Sequence, residues 1–208
     1  MDKSAERPRP RSDIRLFVGV PSRSGCMDSR VTTQRNRIDR QVQFSASGVF
    51  ICSLLSYNFN QMLATALNSR DKPPEGWKIG PTHFLLWHDD ILPHGDTWIL
   101  DLLGEMERFN LDAIAADVAF RNANSAYTTT GFDVDGDSDT KRFKLYELQG
   151  TVTSRETPLL INTGLLLIDI RKPWINDFHF TIHDAIVHEN GEYVAKCCSE
   201  DWLMSRWM

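Results

Sequence analysis

The chain has 208 residues, enough to bury one sizeable core, and its 41% hydrophobic and 25% charged residues are typical of a globular protein. The formal net charge of −5 comes from acidic residues spread along the chain, which argues against a general nucleic-acid-binding protein. The four cysteines show no metal-binding spacing, and Cys197 and Cys198 are adjacent, which favours a reducing compartment.

The beginning of the chain shows no targeting or membrane-spanning signal. Residues 1–12 are rich in Arg, Pro and Ser, which predicts a disordered arm and not a signal peptide. The most apolar window, GVFICSLLSYNF, is too short and too polar at its flanks to cross a bilayer. We therefore expect a cytoplasmic protein without a transmembrane segment, folded over residues 13–208.

The first third of the chain predicts one strand and one helix. Residues 14–20 form a short apolar run rich in β-branched side chains, typical of a buried strand, and the turn signal PSRSG follows at once. Residues 22–43 are polar and rich in Arg, so we expect an irregular surface segment there. Apolar residues at helical spacing predict a helix over residues 48–68, which a Pro- and Gly-rich loop over 71–81 ends.

The middle of the chain predicts a strand, a helix and another strand. THFLLWH, residues 82–88, is an apolar run of strand length. Asp96 is placed to cap a helix that ends at Phe109, with Asn110 beyond it. The apolar run LDAIAADVAF, residues 111–120, predicts a third buried strand.

The remaining segments are more polar. Residues 121–140 are predicted as a long polar loop, and KRFKLYELQ alternates as a half-exposed strand does. PLLINTGLLLIDI is an apolar run broken by Asn-Thr-Gly. Helical spacing is assigned to NDFHFTIHDAIVHEN, before a turn at Gly191, and to the final SEDWLMSRWM. The alternation of strands and helices predicts a layered α/β fold.

An acidic cluster directly follows the second predicted strand. Because ligands of open α/β sheets bind outside the carboxyl ends of the strands, His88, Asp89 and Asp90 stand at a favourable position. The residues that follow the first strand stand at the same edge: Pro21, Ser22 and Arg23. Carboxylates suit Mg²⁺ or Mn²⁺, which shares its coordination shell with substrate phosphates. The alternative is a solvated turn before Pro93, and the spacing alone leaves both interpretations open.

Two further polar groups interrupt or open apolar elements. Glu200 and Asp201 either supply a base that takes a proton from an acceptor hydroxyl, or form the acidic first turn of a helix capped by Ser199. Gly164 allows a ligand to approach the backbone closely, and Asn162 offers a donor and an acceptor to a sugar hydroxyl. A simple β-bulge is the alternative for this pair.

Two patterns match metal sites poorly. The alternating Asp residues of 131–140 resemble a calcium loop, but counting from Asp133 the Gly and Glu of an EF-hand are missing. A mobile loop, or a lid over a donor, is the favoured interpretation. His179 and His183 are four residues apart, as zinc ligands on a helix are, but lack the Glu of an HExxH motif. We interpret them as ordinary helix residues.

Four segments, in their order and spacing, resemble the GT-A-fold glycosyltransferases. LFVGVPSRSG is similar to the first strand and nucleotide-contacting loop of that family, and THFLLWHDDILPHGDTWILDLLGEM resembles the segment around its DxD-type metal motif. NTGLLLIDIRKPW is similar to the strand that lines the sugar site, and SEDWLMSRWM to the Glu-Asp helix near the acceptor. The resemblance covers residues 14–208 and implies a single three-layer domain with a mainly parallel, mixed sheet.

The resemblance implies roles for the matching residues. Asp90 is the expected direct ligand of Mn²⁺ or Mg²⁺, and Asp89 contacts the ribose or supports the metal. His88 takes the first position of the motif, where an acid is more usual, and either binds the metal or points toward the nucleotide. The other residues expected to contact the nucleotide-diphosphate sugar are Pro21, Ser22, Arg23, Asn60, Asn162 and Gly164.

Two positions have alternatives. Asn58 lies two residues from Asn60, and either could face the nucleotide. Such enzymes often draw a further metal ligand, frequently His, from beyond the Glu-Asp helix, whereas this sequence ends at Met208 directly after that helix. His183 or His188 is the candidate substitute.

The resemblance predicts a metal-dependent transferase that moves a sugar from a nucleotide-diphosphate donor to an unknown glycan, lipid, protein or small-molecule acceptor. Glu200 or Asp201 would activate the acceptor in an inverting reaction, and the pair would position it in a retaining one. The alternatives are a nucleotidyltransferase of related fold, for which PSRSG is a poor phosphate loop, and a non-catalytic nucleotide-sugar or carbohydrate-binding protein. No nucleic-acid partner is expected.

Overall fold

The computed structural model describes residues 11–22, 25–38, 41–52, 54–119, 126–134, 140–144, 147–148, 150–155 and 158–208. The elements of the first half are β1 (Arg11–Ser22), α1 (Ser29–Ile38), β2 (Val42–Ile51), α2 (Leu55–Asp71), β3 (His83–Trp87), α3 (Trp98–Phe109) and β4 (Ala113–Ala115). Those of the second half are β5 (Tyr127–Asp133), β6 (Thr140–Lys144), β7 (Leu159–Leu160), β8 (Leu165–Asp169), a 3₁₀ turn (Pro173–Asn176), β9 (His183–Glu189), β10 (Glu192–Cys198) and α4 (Glu200–Trp207).

Five strands form the central sheet in the order β2-β1-β3-β8-β4. β1 pairs in parallel with β2 and β3, whereas β8 runs antiparallel to β3 and β4. Four strands therefore point one way and β8 points the other, which confirms the predicted α/β class with a mainly parallel, mixed sheet. Because β8 is reversed, its first residues meet the carboxyl ends of β3 and β4 at one edge of the sheet.

Helices cover both faces of the central sheet because its inner strands are apolar on both sides. Alternate residues of β1 point to opposite faces: Leu16 and Val18 pack in the same cluster as α1 and α3, whereas Phe17 packs with α2 and α4. Two smaller antiparallel sheets, β6-β5-β7 and β10-β9, complete the described part of the chain. No helix within the described ranges is long and apolar enough to cross a membrane.

The prediction for the segment between the first strand and the first helix is wrong. It contains α1 and β2, and β2 extends to Ile51, inside the predicted helix of residues 48–68. β2 is an edge strand with short polar residues among its apolar ones, so it lacks the continuous apolar run of the buried strands. β1 is also longer than predicted, because it begins at Arg11 and ends at Ser22. Residues 1–10 of the predicted arm lie outside the described residues.

The prediction of a helix before Gly191 is also wrong, because β9 and β10 form an antiparallel hairpin there. Its turn is Asn190–Gly191, and both residues have a positive φ, 52° and 87°. An Asn-Gly pair between two strands is a strong hairpin signal, and here it outweighs the helical spacing of the apolar residues. The polar loop predicted for residues 121–140 is corrected too, because it contains β5, which pairs with β6 and β7.

The predictions for the apolar strands and for two helices are confirmed. All residues of β3 and β8 are buried. α3 ends at Phe109 as predicted, and Asn110 adopts the left-handed conformation with φ 51°, which closes the helix. Its N-cap is Thr97, one residue after the predicted Asp96. α4 follows Ser199 as predicted, whereas the third predicted strand shortens to the three residues of β4.

His83 makes the stability of the fold sensitive to acid. Its side chain is almost fully buried, and burial lowers the pKa of the imidazole from 6.5 to about 4. Between these values the unfolded chain binds more protons than the folded chain, so the free energy of unfolding should fall by about 3 kcal/mol as the pH drops through this window.

Urea titrations between pH 7 and pH 4 test this expectation. His83→Gln removes the titrating group and should flatten the pH dependence, whereas His183→Gln, on an exposed part of β9, should keep it. A His83→Gln variant with the same pH slope as the wild type would contradict the role assigned to His83.

Candidate metal and donor site

Three of the segments singled out in the sequence come together at one edge of the central sheet. The backbone N–H of His88, directly after β3, donates to the carbonyl of Gly164 at 2.9 Å. The Thr163 hydroxyl donates to Asp201 Oδ1 at 2.5 Å, and the Thr163 N–H donates to the same oxygen at 3.3 Å. The acidic cluster, the Asn-Thr-Gly break and the first turn of α4 are thus joined by direct hydrogen bonds.

The acidic cluster forms a short turn on the surface. Ile91 N–H donates to the His88 carbonyl at 3.2 Å, and the Trp87 indole donates to the Ile91 carbonyl at 2.8 Å, so both ends of the turn are held. Asp90 is exposed and Asp89 is partly exposed. Carboxylates in this position are accessible to a hydrated cation and to the phosphates of a ligand.

His88 differs from its two acidic neighbours because its side chain turns into the protein. The imidazole lies 5.5 Å from the Phe59 ring, on the face of the sheet that α2 covers. Burial lowers the pKa of His88, while the charges of Asp90 and Asp89 oppose this shift, so the ring is neutral at neutral pH. Its Nε2 atom is buried without a hydrogen-bond partner in the described structure. A neutral imidazole nitrogen is a suitable ligand for a divalent ion.

The Asn-Thr-Gly break is closely packed. Gly164 leaves no room for a Cβ atom, which would overlap the Ile91 side chain and lie 2.9 Å from Asn162 Oδ1. Asn162 is 3% exposed; it donates to the Ala116 carbonyl at 2.9 Å and accepts from Gly164 N–H at 2.9 Å. Asn162 and Gly164, which were predicted to contact the nucleotide-sugar donor, therefore hold the start of β8 in place in this structure.

The carboxylates of α4 lie in a buried environment. Glu200 is only 7% exposed, and burial, with a smaller effect from the neighbouring charge of Asp201, raises the pKa of its carboxyl group. Burial also raises the pKa of Asp201, whereas its bonds from Thr163 and the charge of Arg142 oppose the shift. A carboxylate with a raised pKa is a better proton acceptor than one in water. The Ser199 side chain makes no capping hydrogen bond, so it does not satisfy the free backbone N–H groups at the start of α4 as predicted.

The residues of β1 that were predicted to contact the nucleotide-sugar donor lie at the same edge of the sheet. Pro21 and Ser22 are the last residues of β1 and are buried, and the Ser22 hydroxyl donates to the Cys26 carbonyl at 2.9 Å. β1 lies next to β3, so these residues stand beside the acidic turn. Arg23 lies outside the described residues.

The two asparagines of α2 have different environments. Both polar groups of Asn60 bond to the backbone of Phe180, at 2.7 Å and 2.8 Å, and tie α2 to that segment. Asn58 is 1% exposed and donates to the Phe50 carbonyl at 3.0 Å, while its Oδ1 atom is buried without a described partner. Asn58 therefore has an unused acceptor near the end of β2, and Asn60 has both of its polar atoms bonded.

The other predicted metal ligands lie on β9, outside the central sheet. His183 pairs with Cys198, directly before Ser199, and the His188 ring packs on Tyr193 at 4.9 Å. Asp133, in the segment that resembles a calcium loop and was predicted as a mobile loop or lid, pairs with Arg206 at 2.8 Å. Residues 135–139 of that segment lie outside the described residues. Within the described ranges, no group of three or more His, Cys, Asp or Glu side chains is arranged to hold an ion.

Two charged residues of this region were not predicted as site residues from the sequence. Arg142 on β6 donates to the Thr129 carbonyl at 3.2 Å, lies 5.5 Å from the centre of the Trp202 ring, and interacts with the charge of Asp201. Asp117 follows β4 and therefore lies at the carboxyl edge of the sheet. The rule that identified Asp89 and Asp90 applies to Asp117 as well, because it too follows an apolar strand.

Comparison of the chain with protein-family models, with curated proteins and with solved structures finds no match. The functional argument therefore depends on the geometry of the residues described above.

The close packing at Gly164 gives the first prediction for the site. Gly164→Ala should lower the free energy of unfolding by about 1–3 kcal/mol, because the new methyl group displaces Ile91 or Asn162. Gly104→Ala is the matched control: Gly104 lies in α3 with open space around it, and this change should raise stability by about 0.5–1 kcal/mol. Equal effects of the two changes in chemical denaturation would contradict the packing described.

The buried Glu200 gives the second prediction. Its pKa is raised in the folded protein, so the folded chain binds more protons in the window between the unfolded and folded pKa values. Ionisation in this window lowers the free energy of unfolding as the pH rises. Glu200→Gln cannot ionise, so its stability relative to the wild type should rise as the pH rises through this window.

Denaturation of both proteins from pH 4 to pH 8 measures this difference. The stability gain of Glu200→Gln should grow with pH and then level off. Glu75→Gln, in an exposed loop, should follow the wild type at every pH. A gain for Glu200→Gln that does not change with pH would contradict a raised pKa.

Proposed function

We propose that this chain is a GT-A-like glycosyltransferase that moves a sugar from a nucleotide-diphosphate donor to a hydroxyl acceptor with the help of Mn²⁺ or Mg²⁺. The observation that carries the proposal is the meeting of two kinds of carboxylate at one sheet edge. Asp89 and Asp90 are accessible, and Glu200 and Asp201 are enclosed. The Gly164 carbonyl accepts from the N–H of His88, directly before the accessible pair, and Thr163 donates to Asp201 of the enclosed pair.

The accessible pair is suited to a divalent ion. Asp90 would hold the ion, and Asp89 would assist or contact the ribose. His88 would join them as a nitrogen ligand only if its neutral imidazole turned out of its contact with Phe59. Two carboxylates are sufficient for Mg²⁺, which takes its remaining ligands from water and substrate phosphates. When bound, such an ion neutralises the charge of the departing diphosphate.

The enclosed pair is suited to the acceptor. Asp201 already accepts two hydrogen bonds from Thr163 and faces Arg142, so it would position the neighbouring groups. Glu200 has the raised pKa without such a side-chain donor among its causes, and it is the better candidate for the base that takes the acceptor proton in an inverting reaction. In a retaining reaction the pair would only orient the acceptor.

Two alternatives share the metal and nucleotide chemistry. A nucleotidyltransferase would transfer the nucleotide of a nucleoside triphosphate to a sugar phosphate and release pyrophosphate. A nucleotide-sugar-binding protein would bind the donor and release nothing. The reaction products therefore separate the three functions once binding is established.

Thermal denaturation with UDP, GDP and their sugars tests the proposal. With Mn²⁺ present and ligand at 100 times Kd, one nucleotide series should stabilise the chain by about 2.7 kcal/mol, or about 5–10 °C. EDTA should remove the effect. Asp90→Asn should reduce it strongly, whereas Asp177→Asn, an exposed acid outside the site, should keep it.

The outcome separates the candidate functions. No stabilisation by any nucleotide, or an unchanged response of Asp90→Asn, would contradict the proposed site. If binding is found, slow Mn²⁺-dependent release of nucleoside diphosphate from the donor sugar identifies the transferase. In an inverting enzyme Glu200→Gln should keep the thermal shift and slow transfer by about 10²–10⁴-fold.

A further inference from the structure

A cavity of about 390 Å³ lies beside β4, between α3, α4 and residues 150–154. Its volume falls in the lower part of the range for small-molecule sites, so it can hold one ring or a short chain and excludes a long lipid tail. Large apolar side chains form much of its wall: Leu102, Ile114, Phe143, Leu159, Ile161 and Met208.

The edge of the central sheet supplies polar backbone groups to this cavity. β4 is the last strand of the sheet, so only one of its sides pairs with β8. The backbone of Asp112 and Ala116 bonds to β8, both at 2.9 Å. In an antiparallel pair the alternate residues turn their N–H and C=O groups outwards, which directs those of Ala113 and Ala115 towards the cavity.

The charged side chains of the wall are acidic. Burial of the Asp117 carboxyl raises its pKa more than hydrogen bonding with Thr128 and Thr130 lowers it, although the residue as a whole remains accessible. Asp101 and Glu105 are the other charged groups, and the described lining contains no Lys, Arg or His. Such a wall repels an anion such as a diphosphate and favours a neutral molecule that donates hydrogen bonds.

The cavity is linked to the candidate site in two ways. Thr130 lines the cavity and accepts a hydrogen bond from Asn162 at 3.4 Å, and Asn162 in turn accepts one from Gly164. Ser205 also lines the cavity and follows Asp201 on α4 by four residues, about 6 Å along the helix. A bound molecule of modest length could therefore extend from the cavity to the first turn of α4.

We propose that this cavity binds the apolar part of a neutral, hydroxyl-bearing acceptor, such as a sugar carried on an aromatic ring. The inference rests on the proposed sugar transfer, because it assigns the ring to the cavity and a reacting hydroxyl to the first turn of α4. Asp117 is a binding residue in this arrangement: it accepts a hydrogen bond from a hydroxyl that does not react.

Phenyl β-D-glucoside is a suitable probe because it carries neutral hydroxyls on one aromatic ring. An NMR titration of the full chain, without metal or nucleotide, should show saturable binding. Glucose lacks the aromatic ring and phenyl sulfate is an anion, so each should bind at least tenfold more weakly. No binding of the glucoside, or equal binding of all three probes, would overturn the proposal.

Two variants locate the bound probe. Ala115→Leu adds three carbon atoms beside the cavity, and Asp117→Ala removes the acceptor carboxylate, so each should weaken glucoside binding at least tenfold. Asp177→Asn does not touch the cavity and should bind as the wild type does. Melting curves without ligand show whether Ala115→Leu is folded, and if it is not, Asp117→Ala decides alone. Unchanged binding by Asp117→Ala would place the probe elsewhere and overturn the proposal.

The same measurements separate this proposal from the proposed function. Folded Ala115→Leu should leave the Mn²⁺-dependent stabilisation by nucleotides unchanged, because it changes the acceptor side without changing any charge. Glucoside binding without any nucleotide response would contradict sugar transfer and would also remove the acceptor role of the cavity. A nucleotide response without glucoside binding would overturn the cavity assignment alone.

Discussion

The whole candidate site depends on the contact between the end of β3 and the start of β8. β8 runs against its neighbours, so its first residues meet the carboxyl end of β3, and the bond from His88 N–H to the Gly164 carbonyl joins them. A side chain at position 164 would overlap Ile91 and Asn162, which pack beside this contact. Because Thr163 also holds Asp201, the position of α4 follows from the same contact. A reversed strand in an otherwise parallel sheet thus brings together residues that are more than a hundred positions apart in the chain.

Burial then gives similar side chains different chemistry. Asp89 and Asp90 remain at the surface, where a carboxylate can meet a hydrated cation. Glu200 and Asp201 carry the same group in an enclosed position, where burial raises their pKa values. Pairs of acids whose environments differ in this way are typical of sites that divide charge stabilisation from proton transfer.

The sequence predicted the parts of the fold that depend on continuous apolar runs and missed those that depend on pairing partners. β3 and β8 are buried on both faces, so their composition alone identifies them. β2 and β9 lie at edges or outside the central sheet, and their mixed composition matched a surface segment or a helix equally well. For the site, the acidic turn and the Glu-Asp helix follow from strand ends and helix starts. The internal bonds of Asn162 and Asn60, and the approach of Arg142, depend on tertiary contacts that no local pattern encodes.

The charge of the site explains why a divalent ion belongs in the proposal. The described carboxylates at this sheet edge are Asp89, Asp90, Asp117, Glu200 and Asp201, and the charge of Arg142 interacts with Asp201. A nucleotide diphosphate brings further negative charge, which such an edge repels unless a cation lies between the two. A metal ion held by Asp90 would offset the negative charge at the end of β3 alone. The wall of the cavity beside β4 would remain acidic. The donor and a neutral acceptor would then be directed to different parts of one edge by charge, with the first turn of α4 between them.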